Sequence, residues 1–278
     1  MIDSHRFDEF LRRAIDEDLG AAGDITSSSI FSVEHLSTGR IVARQAGVIA
    51  GVSIAQRVFE LIDDRLTLEP EAADGLEVEA GTELMALSGS TKSILAAERT
   101  ALNILGRLSG IATATAELVE LVDGTGTMVC DTRKTTPTLR ALEKYAVRMG
   151  GGSNHRFGLY DTVMIKDNHI VAAGGIGTAV ALVRAHVGHT VKIEVEVDDL
   201  AQLRELLIVG ADIVLLDNMS IDEIEDAVEM IDGRMIVEAS GGIDRDTIRA
   251  VAETGVDVIS VGALTHSAPS LDVALDLD

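Results

Sequence analysis

Cysteine and positive charge are scarce in this sequence, and long apolar runs are absent. A single cysteine, Cys130, stands among 278 residues. It excludes an internal disulfide framework and a cysteine-based zinc site. No apolar run reaches the roughly 18–20 residues that a membrane-spanning helix needs. The opening MIDSHRFDEFLRRAIDEDLG is charged and patterned as an amphipathic helix, not as a secretory signal. A cytoplasmic protein with no membrane partner is therefore the expectation. Lys and Arg total 23 against 46 Asp and Glu, a formal net charge of −23. Such a balance argues against nucleic-acid binding through the general surface. It reads as a plain acidic surface, or as adaptation to a salty cytoplasm in which screening relieves carboxylate repulsion. With so few cations, the places where they cluster become informative.

The composition is 46% hydrophobic, enough for a large core in one α/β domain or two smaller ones. The first hundred residues mix a helix over 6–18, a polar loop over 20–29 and glycine-punctuated strands. Ser53–Asp63 has apolar residues at helical spacing, and LEVEAGTELMALSGS reads as a hairpin turning at Gly81. A long helical pattern spans about 93–122, with Gly106 and Gly110 four apart as a mark of close helix packing. From Thr127 the texture changes to short apolar runs: TMVCDTRK, TVMIKDNH, VKIEVEVDD, DIVLLDNM, MIVEASGG and DVISVGAL. Amphipathic helical patterns separate the later runs, which recur about every 20–22 residues. This β-α rhythm predicts a parallel sheet closed toward a barrel; six strands are clear.

Ligands of a parallel α/β barrel sit at the carboxyl ends of its strands. Here those ends read Asp131, Arg133 and Lys134; then Lys166, Asp167 and His169; then Glu194 and Glu196; then Asp217 and Asn218; then Glu238 and Ser240-Gly241-Gly242; then Gly262-Ala263. His155 and Arg156 precede the run that ends in Lys166. Each group has a plainer reading. Arg133-Lys134 reads equally as an exposed turn, Lys166 as one half of a core ion pair, and Arg99 beside Glu98 as a surface pair. Of Glu194 and Glu196, which share a face, one reads as structural, bonded to Lys166 or Lys192. Asp217-Asn218 reads as a helix cap, although Ser220 is the better one. Taken together, the cations suit a ligand with several carboxylates or phosphates. Glu196 and Asp217 suit a divalent cation or a developing positive charge, and the glycines suit a phosphate. A phosphosugar with a leaving pyrophosphate would use all three. A phosphosugar aldolase would instead use Lys166 as a Schiff-base nucleophile, and a non-enzymatic metabolite-binding protein is a third reading.

The stretch DTRKTTPTLRALEKYAVRMGGGSNHRFGLYDTVMIKDNHI resembles the long signature of quinolinate phosphoribosyltransferases, the carboxylating nicotinate-nucleotide pyrophosphorylases. The resemblance continues through EVEVDD, LLDNM, VEASGGI and ISVGALTHS, and reaches back to EDLGAAGDITS and ERTALNILGRLSGIATAT. It implies an α/β fold: an N-terminal α+β sandwich-like domain and an incomplete, seven-stranded α/β barrel. Residues 1–105 would form the first and 106–278 the second, with the C-terminal end packing back on the first as a variant. The implied reaction joins quinolinate to 5-phosphoribosyl 1-pyrophosphate. It gives nicotinate mononucleotide, pyrophosphate and carbon dioxide in de novo NAD synthesis, with magnesium and no organic cofactor.

By the same resemblance, Arg99, Arg133, His155, Arg156 and Lys166 would hold the two carboxylates of quinolinate. Arg99 would come across the interface of a homodimer, with higher assembly left open. Lys134 and Lys166 would face the phosphosugar, and Glu196 and Asp217 the ribose hydroxyls and the magnesium-linked pyrophosphate, directly or through water. Lys134, Lys166, Glu196 and Asp217 are thus the expected catalytic set. Ser240, Gly241, Gly242, Gly262 and Ala263 would hold the 5-phosphate. Same-architecture transferases for nicotinate, or a molybdenum-transport-associated paralogue, are the nearest alternatives.

Overall fold

The computed structural model describes residues 2–278. The chain divides into two compact units. One comprises the residues up to Ala116 with 148–151 and 268–278; the other comprises 117–147 and 152–267. Among the described residues, no helix is long and apolar enough to cross a membrane.

The first unit begins with a short 3-10 turn, Ser4–Phe7, leading into α1 (Asp8–Leu19) and α2 (Ile25–Ile30). Asp24 caps α2 by accepting from Ser27 N–H at 3.0 Å. Then come β1 (Leu36–Ala43), β2 (Gly47–Val48), α3 (Val52–Ile62), β3 (Thr67–Pro70), β4 (Glu77–Val78), β5 (Glu83–Ser90) and α4 (Thr91–Leu121). The expected helix over 53–63 is α3, which buries Ile54, Ala55, Val58 and Phe59 along one face. The hairpin about Gly81 does not form: β4 pairs with β2, and β5 pairs with β1 and β3. Gly81 has the positive φ of +93° expected of a turn, but the turn joins strands of two different sheets.

The fourth strand beside β1 is β12 (Val273–Leu277), so the sheet order is β12-β1-β5-β3, all antiparallel. The same C-terminal segment explains the small residues of α4. A Cβ on Gly106 would lie 2.8 Å from the Leu271 carbonyl oxygen, and one on Gly110 only 1.9 Å from that of Pro269. Leu271 N–H also donates to the Gly106 carbonyl at 2.9 Å. The two glycines therefore admit an extended chain, not a second helix.

The second unit carries β6 (Met128–Cys130), all but the last two residues of α5 (Arg140–Met149), β7 (Val163–Ile165), α6 (Asp167–Ala173) and α7 (Ile176–Arg184). It continues with β8 (Ile193–Val197), α8 (Leu200–Val209), β9 (Ile213–Asp217), α9 (Ile221–Ile231), β10 (Ile236–Ser240), α10 (Ile248–Glu253), β11 (Val258–Ser260) and α11 (Ala263–His266). The six strands are parallel in the order β6-β11-β10-β9-β8-β7. On the open side of β6, Cys130 makes an isolated parallel bridge to Ser153. The parallel sheet therefore has six strands, with this one bridge at its β6 edge. The intervening helices start on local signals. Asp199 caps α8, and Ser220 caps α9 in a reciprocal box with Glu223, so Asp217 and Asn218 are left free of a capping role.

Gly110→Ala forces a methyl against the Pro269 carbonyl and costs about 2–3 kcal/mol, the scale of overpacking in a dense core. Urea unfolding of the variant checks this, and an unchanged midpoint contradicts the packing described.

Candidate active site

Strand side chains alternate, so every second residue of the parallel sheet faces the barrel interior. The register places Met164 opposite Glu194, Glu238 opposite Leu215, Leu215 opposite Glu196, and Ser240 between Asp217 and Ser260. These positions converge on a cavity of about 390 Å³ at the carboxyl ends of the strands. Its lining includes Arg133, Lys134, His155, Arg156, Lys166, Glu196, Asp217 and Ser240 from the expected set. Glu238, Thr132, Ser260, Met164 and Leu215 complete the wall. The larger groove beside β7 is lined mainly by apolar side chains and has no such convergence of charge.

Its cations divide into two kinds. Lys166 Nζ makes a close ion pair with Glu196, but its side chain is 42% exposed, so the pair belongs to the cavity wall and not to the core. Arg133, Lys134 and Arg156 have no acidic partner within 4 Å among the described residues. Arg133 Nε is buried without any hydrogen-bond acceptor, and Arg156, 9% exposed, gives one bond, from Nη1 to the Thr162 carbonyl at 3.3 Å. Burial and the nearby Arg133 charge both lower the affinity of Arg156 for its proton. Buried guanidinium groups without counter-charges are costly. Cations so placed along one cavity suit an anionic ligand.

A buried ion pair builds the wall that carries His155 and Arg156. Lys144 and Asp131 are both fully buried and in close contact. Lys144 Nζ also donates to the His155 carbonyl at 2.9 Å. Asp131 accepts from His155 N–H at 3.0 Å and from Asn154 Nδ2 at 2.6 Å. Burial pushes the Asp131 carboxyl up, while Lys144, Asn154 and His155 work in the opposite direction. On the neighbouring turn, Thr136 N–H and Oγ1 donate to Glu143, and Arg140 Nε donates to Thr135 Oγ1. The hydroxyls of this TTP turn thus brace the Arg133-Lys134 loop against α5.

His155 lies over two buried carboxylates. Its Nε2 is 3.3 Å from Glu194 Oε2 and 3.4 Å from Glu238 Oε2, while Nδ1 accepts the Arg156 N–H at 2.7 Å. Two effects oppose each other at this ring. Burial disfavours the imidazolium, but the two carboxylates raise its pKa to about 10, which by itself favours protons on both nitrogens. The geometry opposes this: a second ring proton would collide with the Arg156 N–H at Nδ1, and we take that contact as deciding. We assign the proton to Nε2 on that hydrogen bond. Burial also pushes Glu194 up. Of the two glutamates of β8, then, Glu196 meets Lys166 and Glu194 meets His155.

The remaining expected residues lie around the mouth. Asp217 Oδ2 accepts from Asn218 Nδ2 at 2.7 Å. Gly241 has φ +94°, and a Cβ there would fall 2.3 Å from Asn218 Oδ1; no other residue fits that turn. Gly242 also has a positive φ, +65°, and Gly262 lies where a Cβ would meet Lys134 Cδ at 2.9 Å. Gly241, Gly242, Gly262 and Ala263 adjoin the lining without belonging to it. His169 Nδ1 accepts the Lys166 N–H at 2.9 Å, a supporting contact at the start of α6. Arg99 belongs to the first unit, is 63% exposed at its side chain, and has Glu98 as its nearest acid at 3.7 Å. It is not in the lining.

Sequence pattern left Glu238 at a strand end without a role and passed over Lys144 altogether. The signal for Glu238 was its spacing of two from Ser240. For Lys144 there was none, because a lysine in an amphipathic helix reads as solvated.

A parallel sheet whose strand ends gather cations, carboxylates and glycine turns defines a protein suited to anionic ligands. The comparisons with known proteins narrow this. Residues 24–109 match the model of the quinolinate phosphoribosyl transferase N-terminal domain, and 111–276 that of the C-terminal domain. The chain belongs to the quinolinate phosphoribosyl transferase family. It is 46% identical over 261 residues to the probable nicotinate-nucleotide pyrophosphorylase [carboxylating] of Bacillus subtilis, covering 94% of this chain and 90% of that one. With the nicotinate-nucleotide pyrophosphorylase [carboxylating] of Mycobacterium leprae it shares 43% over 272 residues, 96% of this chain and 95% of the other. The crystal structure of NadC from Streptococcus pyogenes superposes with a TM-score of 0.95 at 43% identity, covering 100% of this chain and 98% of that chain.

Lys144→Met leaves Asp131 buried and unpaired, and is expected to cost about 3–5 kcal/mol of stability. Adding Asp131→Asn recovers part of it. Denaturant unfolding of the single and double variants measures both, and equal losses contradict the pairing.

Proposed function

We propose that this protein transfers the phosphoribosyl group of 5-phosphoribosyl 1-pyrophosphate to quinolinate with loss of carbon dioxide. The products are nicotinate mononucleotide and pyrophosphate, the last step of quinolinate use in NAD synthesis. The observation that carries this reading is the pair of guanidinium groups, buried Arg156 and half-buried Arg133, that face one cavity with no ion-pair partner within 4 Å among the described residues. A pyridine dicarboxylate supplies two carboxylates on a flat apolar ring, and Met164 and Leu215 offer that ring an apolar surface in the same cavity. The names of the relatives point to the same reaction.

Arg133, Arg156 and Lys166 clamp the carboxylates, and the clamp holds the pyridine nitrogen toward C1 of the sugar. Lys134 faces the phosphosugar. The turns at Ser240-Gly241-Gly242 and Gly262-Ala263 present backbone N–H groups to the 5-phosphate. Glu196 and Asp217 receive the ribose hydroxyls and stabilise positive charge developing on the ribose as pyrophosphate leaves. Nitrogen attack at C1 displaces pyrophosphate and gives a pyridinium; the 2-carboxylate then leaves as carbon dioxide, its bonding pair stays at C2 beside the positive nitrogen, and C2 takes up a proton from water. No protein nucleophile is needed, and the Glu196 partnership of Lys166 runs against a Schiff-base role.

Glu196 and Asp217 offer hard carboxylate oxygens, the donor type that magnesium takes. They are too few for a protein cage, which fits an ion whose shell is completed by phosphates and water. When bound, magnesium supplies charge neutralisation at the leaving pyrophosphate. Arg99, exposed and with Glu98 as its partner at 3.7 Å, is available to a second copy of the chain; a homodimer that donates it across the interface is part of this reading, as is a cytoplasmic location.

Incubation with quinolinate, phosphoribosyl pyrophosphate and magnesium should yield nicotinate mononucleotide, whereas nicotinate in place of quinolinate should not. Arg133→Ala should raise the quinolinate KM roughly 10–100-fold, the value of one or two charge-assisted hydrogen bonds. Lys166→Ala should lower turnover strongly with little change in Tm. Normal turnover in that variant, or product from nicotinate at equal rate, would sink the assignment.

A further inference from the structure

Glu194 and Glu238 take no part in the chemistry above, yet both are buried, 1% and 4% exposed, in the interior layer of the barrel. They project from β8 and β10 toward a single atom, His155 Nε2. Glu238 makes this contact through Oε2, and its Oε1 is buried with no hydrogen-bond partner. The placement of the Glu238 carboxylate therefore depends on His155, and that of the ring on the two carboxylates. A neutral imidazole has one donor and one acceptor nitrogen, and what meets one nitrogen fixes the other. Here the acceptor side is taken by the Arg156 N–H at 2.7 Å. Both ring nitrogens are thus engaged by protein, and neither is left for a substrate carboxylate.

We propose that Glu194 and Glu238 are positioning residues: they hold the Nε2–H of His155 from two sides, so that Nδ1 fixes the Arg156 backbone and sets its guanidinium in the cavity. His155 then acts through Arg156 and not as a direct carboxylate ligand. Three mutually close donor groups also resemble a cation site, since the ligand atoms of His155, Glu194 and Glu238 lie within 4.8 Å of one another. The hydrogen bonding argues otherwise. A cation on Nε2 would require the ring proton on Nδ1, against the Arg156 N–H. The chain of contacts resembles the carboxylate–histidine pairs that orient metal ligands, with the Arg156 backbone N–H in place of the metal.

The proposal rests on Arg156 serving a substrate carboxylate, so the test separates the two. Arg156→Ala should raise the quinolinate KM at least tenfold; if it does not, the assignment of Arg156 fails, and the positioning role with it. Glu238→Leu and Glu194→Leu remove the acceptors, whereas Glu238→Gln and Glu194→Gln keep an oxygen for Nε2–H. The Leu variants should raise the quinolinate KM about tenfold while the phosphoribosyl pyrophosphate KM stays within twofold, and the Gln variants should recover most of the loss.

Nitrogen NMR of the substrate-free wild-type protein labelled at histidine should show His155 protonated at Nε2 and bare at Nδ1, with that preference lost in the Leu variants. A proton on Nδ1 in the wild type, or equal movement of both KM values, would overturn the proposal. So would a shift of the His155 signal on adding magnesium or manganese alone, which would mean a cation site. Should a Leu variant fail to fold, the wild-type spectrum and the Gln variants decide the matter.

Discussion

The contact between Lys144 and Asp131 is the one on which the cavity wall depends. Both groups are fully buried, and neither would be tolerated there alone. Between them they hold the end of β6, the middle of α5 and the backbone of residues 154–155. Two more charges, Arg133 and Arg156, are carried on the segments so fixed. A pair this costly to bury contributes less to net stability than to arrangement: it forces one loop conformation where glycine-rich sequence would permit many.

Charge is distributed through the barrel by depth. Innermost are Glu194 and Glu238 beneath His155, then Glu196 against Lys166, then Asp217 and the exposed Lys134 at the rim. The alternation of a parallel strand produces this layering without any special device, because residues two apart differ by about 7 Å in height. A flat dianion and a long phosphorylated sugar need different depths of the same well. A protein with a formal charge of −23 can recruit such anions only if its cations are collected, and the strand ends collect them.

Most of the parallel unit was legible in the sequence, since its strands are continuous apolar runs at regular spacing and each ends in polar residues. The cavity was legible for the same reason: topology fixes which strand ends meet. The first unit was less so. Its β5 reads as the second arm of a hairpin, but pairs instead with β1, more than forty residues earlier, and β1 pairs with β12 at the far end. Such pairings are set by burial across the sheet, which local pattern does not report. His155 was placed correctly near the cavity, but its neighbours decide what it does, and neither Glu238 nor the Arg156 N–H is visible as a partner from spacing. Gly106 and Gly110 signalled a close approach; only the structure tells that the approaching element is an extended chain.

The pairing of β1 with β12 bears on the order of events during synthesis. Residues 36–43 emerge early and residues 273–277 more than two hundred residues later, with the whole second unit translated in between. Until then one edge of β1 presents unpaired N–H and C=O groups, and the groove along α4 at Gly106 and Gly110 is unfilled. The first unit to be made is thus the last to be finished. A nascent chain of this protein carries an open strand edge for most of its translation, the condition under which edge-to-edge association with another copy competes with folding.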